Sequence, residues 1–116
     1  MPATPYNFTI EQGTTFTIAF AYRDSAGNPI NISGYSARMH ARQPIESART
    51  LINATTANGL LAITGVTGTI TLSMTATQTA ALNFTTARYD LELESPAGIV
   101  TRLIEGTITL SKEVTR

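Results

Sequence analysis

Cysteine and tryptophan are both absent from this chain of 116 residues, and charged residues are scarce. Without cysteine there are no disulfides or thiolate metal sites, a composition compatible with synthesis in a reducing cytosol. Asp, Glu, Lys and Arg make up 14% of the residues, against about 25% in ordinary soluble domains, and eight bases balance eight acids. Because no basic block is available to neutralise phosphates, the composition argues against a nucleic-acid partner.

Long apolar runs are missing as well. None approaches the roughly 20 residues that cross a bilayer, so no membrane partner is expected. The start, MPATPYNFTIEQG, lacks the basic and apolar segments of a signal peptide. The length predicts a single domain over residues 1–116, with an N-terminal arm at 1–6 and a C-terminal tail at 111–116.

Threonine is the residue that the chain has in excess, with 21 copies. Its β-branched side chain suits a pleated, half-exposed surface, so the composition predicts an all-β domain. Stretches such as TFTIAFAY and YSARMHAR alternate in polarity, as strands with one buried side do. We predict about seven strands, lettered A to G, that begin near residues 6, 15, 36, 50, 69, 88 and 100.

Two local signals refine this layout. TATQTAAL breaks the alternation and offers Thr75 as an N-cap, which predicts one short helix between strands E and F. The pair Asn58-Gly59 predicts a hairpin turn. Together the elements predict an immunoglobulin-like antiparallel β-sandwich, in which Tyr89 lies two residues before the core position Leu91 and Met39 replaces the usual tryptophan of strand C.

Two sets of charged side chains share the outward faces of strands C and F, which are antiparallel neighbours in this topology. They are Arg38, His40 and Arg42 on strand C, and Asp90, Glu92 and Glu94 on strand F. Opposite charges on neighbouring strands stabilise a sheet by roughly 0.2–1 kcal/mol per pair, so we predict a cross-strand charge ladder. Alternate carboxylates on a strand lie roughly 6.6 Å apart and run parallel, so neither a metal site nor a glycosidase pair is expected.

Strand G does not alternate cleanly. One face would combine four aliphatic residues with an arginine, namely Val100, Ile104, Ile108 and Leu110 with Arg102. Leu103 would then point outward. Either a β-bulge near Glu105-Gly106 corrects the alternation, or the outer side of strand G at Leu103 is apolar and covered by a partner.

No catalytic set or cofactor site is evident. His40 is the only histidine, and it lies between two arginines without a nucleophile pattern. Two tyrosines, Tyr6 and Tyr35, fall outside the inward alternation and could serve a sugar-binding module. We therefore expect contacts rather than catalysis, at the arm with Pro2, Pro5 and Tyr6, at Leu103, and at the tail that ends with Arg116.

Two stretches carry a family resemblance: FTIEQGTTFTIAFAYRDSAGNPINISGYSARM and YDLELESPAGIVTRLIEGTITLSKEVTR. They resemble small β-sandwich virion proteins and N-terminal modules of tailed bacteriophages, over roughly residues 1–42 and 88–116. The resemblance implies a non-enzymatic virion part without a cofactor, made in the bacterial cytoplasm and placed on the tail, baseplate or fibre attachment. A capsid-decoration or head-fibre protein is the alternative, and a carbohydrate-binding adhesion module ranks third. The implied partners are other virion proteins and copies of the chain itself, as a homo-oligomer.

Overall fold

A computed structural model of the chain describes residues 3–43 and 50–115. Pro2 and Arg116, two of the predicted contact residues, lie outside the described residues, as do positions 44–49. The described elements are β1 Thr4–Pro5, β2 Phe8–Glu11, β3 Phe16–Ala21, β4 Ser36–Arg42, β5 Ile52–Thr55, β6 Leu61–Thr64, a 3₁₀ turn at Gly65–Thr67, β7 Thr69–Met74, α1 Ala76–Ala80, β8 Thr86–Glu94 and β9 Val100–Ser111.

The strands form two sheets that pack face to face. The larger sheet has the order β1-β9-β8-β4-β5, with β2 also paired to β9, and the smaller sheet has the order β3-β7-β6. This is the two-sheet layout of an immunoglobulin-like sandwich, with α1 between β7 and β8 where the short helix was predicted. The predicted fold class is confirmed.

The expectation of purely antiparallel pairing is wrong at the N-terminus. β1 and β2 run parallel to β9, with Thr4 opposite Ile104 and Phe8 opposite Ile108. The turn after β2 carries the chain from the larger sheet to the smaller one, so β2 pairs with the last strand rather than with β3. The N-terminal and C-terminal strands therefore lie side by side.

The predicted strand D and its hairpin also need correction. β5 pairs with β4 in the larger sheet, whereas β6 pairs with β7 in the smaller one, so Asn58-Gly59 joins two sheets instead of closing a hairpin. The Asn58 carboxamide oxygen accepts hydrogen bonds from the amides of Thr55 (3.0 Å) and Leu60 (3.1 Å). Because that side chain satisfies the turn, the two strands can diverge, and the described strands number nine rather than seven.

Alternation places the core between the sheets, as predicted. Leu91 and Leu93 of β8 and Met39 of β4 are fully buried, while Phe16 and Ile18 of β3 are partly buried and pack against the core cluster at its margin. The other fully buried large side chains are Ile10, Ile32, Ile70, Leu72, Ile108 and Thr79. Period-two burial is therefore the organising feature of both sheets.

The short helix begins at the predicted cap. The Thr75 hydroxyl accepts from the Gln78 amide (3.1 Å) and the Gln78 side chain accepts from the Thr75 amide (2.8 Å), a complete capping box. Thr79, which the sequence did not single out, is buried and donates to the Thr14 carbonyl (2.7 Å) while accepting from the Gly13 amide (3.0 Å). α1 thereby fastens the turn between β2 and β3.

A bulge corrects the alternation of β9, but not where the sequence predicted it. Leu91 lies opposite Ile104 and Glu92 opposite Arg102, so Leu103 is the extra residue of the strand. Leu103 is half-buried and packs against the core. The prediction of an apolar outer side at Leu103 is wrong, because the bulge turns this side chain inward beside Ile104.

Candidate interaction surface

The outer face of the larger sheet concentrates the charge of the molecule. We define the charged face by these outward residues of β4, β8 and β9: Arg38, His40, Arg42, Arg88, Asp90, Glu92, Glu94, Arg102 and Glu105. It holds four of the eight basic residues, four of the eight acidic residues and the only histidine of the chain. The face is thus neutral in sum and rich in separate charges.

The predicted charge ladder is present around Arg38. Its Nε lies 2.9 Å from Glu92 Oε1, the residue directly opposite on β8, and its Nη1 lies 3.4 Å from Glu94 Oε1. The hydrogen bond to Glu92 raises the pKa of Arg38, so the guanidinium is permanently charged. Because these side chains are partly exposed, each pair stabilises the sheet by only about 0.2–1 kcal/mol.

Asp90 pairs differently from the prediction. It lies opposite His40 in the register, but its Oδ2 forms an ion pair with Arg102 Nε of β9 at 3.4 Å. Burial, followed by the charge of Glu92, raises the pKa of Asp90, and Arg102 and His40 oppose that shift. The carboxylate is therefore held by the bulged strand rather than by the basic residues of β4.

The ladder reverses at its other end. Arg42 faces Arg88 in the register instead of an acid, and the Arg88 guanidinium donates to the Thr107 hydroxyl at 3.4 Å. Arg42 also lies 3.4 Å from His40 Nδ1. Along the strands the sign of the cross-strand rows therefore alternates: Arg42 and Arg88 are followed by Asp90 and Glu105, then by Arg38 and Arg102 around Glu92, and last by Glu94.

A shallow depression of about 310 Å³ follows this face, lined mainly by its arginines and carboxylates. In the described residues, no group of three or more His, Asp or Glu side chains is placed to hold a metal ion. Every buried side-chain nitrogen or oxygen in those same ranges has a hydrogen-bond partner. An open, polar, ion-paired depression suits the polar contacts of a macromolecular interface better than the enclosure of a small apolar ligand.

The arm residues Pro5 and Tyr6 are bonded to the molecule's own sheet. The Tyr6 amide donates to the Glu105 carbonyl (2.9 Å), and the Tyr6 carbonyl accepts from the buried Tyr89 hydroxyl (2.5 Å). The Asn7 side chain accepts from the Thr107 amide at 2.9 Å. From Thr4 onward the arm is therefore fastened within the molecule as the end strand of the larger sheet, and its contact with a neighbour stays a prediction.

The two tyrosines proposed for a sugar platform have different surroundings. Tyr6 is 47% exposed, with its ring 6.2 Å from that of Phe8 and 6.1 Å from that of Phe20. Tyr35 is half-buried and packs against the core, so its ring is not the exposed aromatic that the sequence suggested. Only Tyr6 offers an exposed aromatic surface of the two.

The start of the C-terminal tail is fastened to the same molecule. The Glu113 amide donates to the Gln12 side chain (2.9 Å), and Lys112 Nζ donates to Asn83 Oδ1 (3.5 Å). The Glu113 carboxylate packs directly against Gly13: a Cβ added at Gly13 would lie 2.2 Å from Glu113 Oε2. The sequence shows Asn7 and Gln12 only as ordinary polar residues, so these fastenings could not be anticipated from it.

Among the described residues, no helix combines the length and the apolar character needed to cross a membrane. No protein-family model matches the chain, and no curated protein matches it. Among solved structures, a chicken TCR is similar to 97% of this chain with a TM-score of 0.54 and 14% sequence identity. The chain spans 55% of the length of that structure's chain. At this identity the likeness shows the fold alone: the chain is an immunoglobulin-like β-sandwich domain.

Proposed function

We propose that this chain is a non-enzymatic structural module of a tailed-bacteriophage particle, at the tail, baseplate or fibre attachment, and that it docks through the charged face. The sequence resemblance described above supports the choice of particle. The observation that carries the docking surface is the placement of half the formal charges on one exposed sheet face of an otherwise charge-poor molecule. Other virion proteins are the proposed partners.

The pairing of the charges favours contact over catalysis. Glu92 and Glu94 are engaged by Arg38, and Asp90 by Arg102. A general acid or base needs a proton-transfer partner and a site closed to water, whereas these groups lie on an open face. Charges that alternate in sign from row to row orient a partner of complementary pattern, which fixes its register and excludes misaligned docking.

The role is tested by isolating particles from the host that encodes the chain and locating it by electron cryomicroscopy. We expect the domain in the tail, at the baseplate or at a fibre base, with the charged face against a neighbouring protein. Density on the capsid lattice would instead favour the alternative of a decoration or head-fibre protein. Absence of the chain from purified particles, measured by mass spectrometry, would contradict the proposal.

A further inference from the structure

The free edge of β3 has unused hydrogen-bonding groups. Within the part of the chain that the structure describes, β3 is the end strand of the smaller sheet and pairs with β7 alone. The Tyr22 amide donates to the Gly68 carbonyl at 2.7 Å, in continuation of that antiparallel register. Because bonded positions alternate along an antiparallel pair, the even-numbered residues of β3 bond to β7. The amides and carbonyls of Thr17, Ala19 and Ala21 therefore point away from the sheet.

β3 also lacks the features that usually protect an edge. Natural edge strands are kept short, charged, bulged or interrupted by proline. Among the other described end strands, β1 has two residues and contains Pro5, β2 has four and contains Glu11, and β5 and β6 have four each. β3 has six residues, FTIAFA, without charge or proline. It is the described edge best suited to accept another strand.

The side chains beside this edge are incompletely covered. Phe16 and Ile18 point inward but remain partly exposed, whereas Leu72 of the neighbouring β7 is fully buried. Phe8 stacks 5.8 Å from Phe16, and the half-exposed Tyr6 meets Phe20 edge-on at 6.1 Å. An apolar seam thus runs along the open edge, and a strand added to β3 would shield it.

We infer that β3 pairs antiparallel with β3 of a second copy of this chain, which joins two smaller sheets into one six-stranded sheet. A twofold axis near Ile18 or Ala19 places inward residues against inward ones, so that Phe16 or Ile18 meets Phe20 of the second copy. No charged side chain lies on β3 and the net charge is zero, so the two copies do not repel each other along the seam. The inference is independent of the particle role and of the charged face.

The inference is tested by light scattering coupled to size exclusion over a dilution series of three chains. Thr17→Lys places a charge on the outer face of β3, in the middle of the proposed strand pair. The matched control Thr64→Lys places the same charge on β6, at the far edge of the same sheet. Both threonines are exposed, so both variants should fold, which circular dichroism would verify. We expect a dimer that dissociates on dilution for the unchanged chain and for Thr64→Lys, and a monomer for Thr17→Lys.

Amide hydrogen exchange gives a second readout on the unchanged chain. Exchange at Thr17, Ala19 and Ala21 should slow as concentration rises, while Ile18 and Phe20, already bonded to β7, should be protected at every concentration. A monomer throughout the dilution series overturns the inference. So does a dimer that persists in Thr17→Lys, and so does amide exchange at Thr17, Ala19 and Ala21 that does not change with protein concentration. These outcomes leave the particle proposal intact, since that is judged by the presence of the chain in particles.

Discussion

The hydrogen bond from Tyr89 to the Tyr6 carbonyl joins β8 to the link between β1 and β2, and its removal is the most informative single change. In Tyr89→Phe the ring stays, together with its edge-on contact to Phe8 at 5.0 Å, and only the hydroxyl is lost. The ring is 4% exposed, so water has little access to replace that hydroxyl. The Tyr6 carbonyl would then lose a partner that β9 cannot supply.

The expected cost is about 1.5 kcal/mol, the loss typical of a hydrogen bond whose remaining group stays poorly solvated. With an unfolding entropy of about 2.1 cal/mol/K per residue, a chain of 116 residues should lose about 6 °C in Tm. Differential scanning calorimetry and urea denaturation would measure both quantities. Tyr22→Phe is the matched control, because Tyr22 is half-buried and no hydrogen bond of its hydroxyl is found in the described residues.

The same variant has a signature at alkaline pH. Burial, and secondarily Tyr6, raises the pKa of the Tyr89 phenol, so the folded chain holds this proton more tightly than the unfolded chain. That contribution is complete below the usual tyrosine pKa of about 10 and is lost as pH rises beyond it. Tyr89→Phe should therefore lose less stability than the unchanged chain above pH 10. Equal stability of Tyr89→Phe and the unchanged chain at neutral pH, or an equal loss in Tyr22→Phe, would show that the Tyr89 hydroxyl bond does not stabilise the fold.

Three further changes test the surface and the framework. Asp90→Asn should gain stability relative to the unchanged chain as pH rises from 3 to 7, because the raised pKa of Asp90 means that its ionisation costs stability. Urea titrations at stepped pH measure the free energy of unfolding of both chains. A fall in the stability of Asp90→Asn relative to the unchanged chain as pH rises would contradict this. Thr75→Ala should cost about 1 kcal/mol through loss of the capping box, whereas Thr77→Ala, exposed within the helix, should cost nothing and slightly stabilise the chain in the same denaturation assay. Gly106→Ala should cost about 1–3 kcal/mol in calorimetry, since its Cβ would lie 2.1 Å from the backbone oxygen of Tyr6. An unchanged Tm would show that the backbone at Tyr6 moves aside at no cost.

Much of the fold follows from local pattern. Alternation alone places Met39, Leu91 and Leu93 inward and Arg38 outward, because one buried face imposes a period of two on every strand. The capping signal at Thr75 is equally local, so the helix was predictable from the neighbouring residues. Cross-strand opposition of Arg38 and Glu92 then follows once the two strands are assigned as neighbours.

The missed features depend on distant partners. Parallel pairing of the N-terminal strands with β9 is decided by contacts about a hundred residues apart, such as Asn7 with Thr107, and no local signal announces them. The bulge at Leu103 shifts every later side chain of β9, yet one extra residue leaves little trace in a strand that already mixes polar and apolar positions. The ion pair between Asp90 and Arg102 could not be predicted either, because the bulge in β9 decides which side chain reaches the Asp90 carboxylate.

The proposed docking of the chain through its charged face is tested by charge reversal at Arg88. Arg88→Glu inverts a charge within the depression and places an acid opposite Arg42, so the fold should be retained. Arg23→Glu makes the same change at an exposed residue outside the charged face. Mass spectrometry of particles assembled with each chain should find Arg23→Glu at the copy number of the unchanged chain and Arg88→Glu strongly depleted. Equal incorporation of both folded variants would contradict the claim.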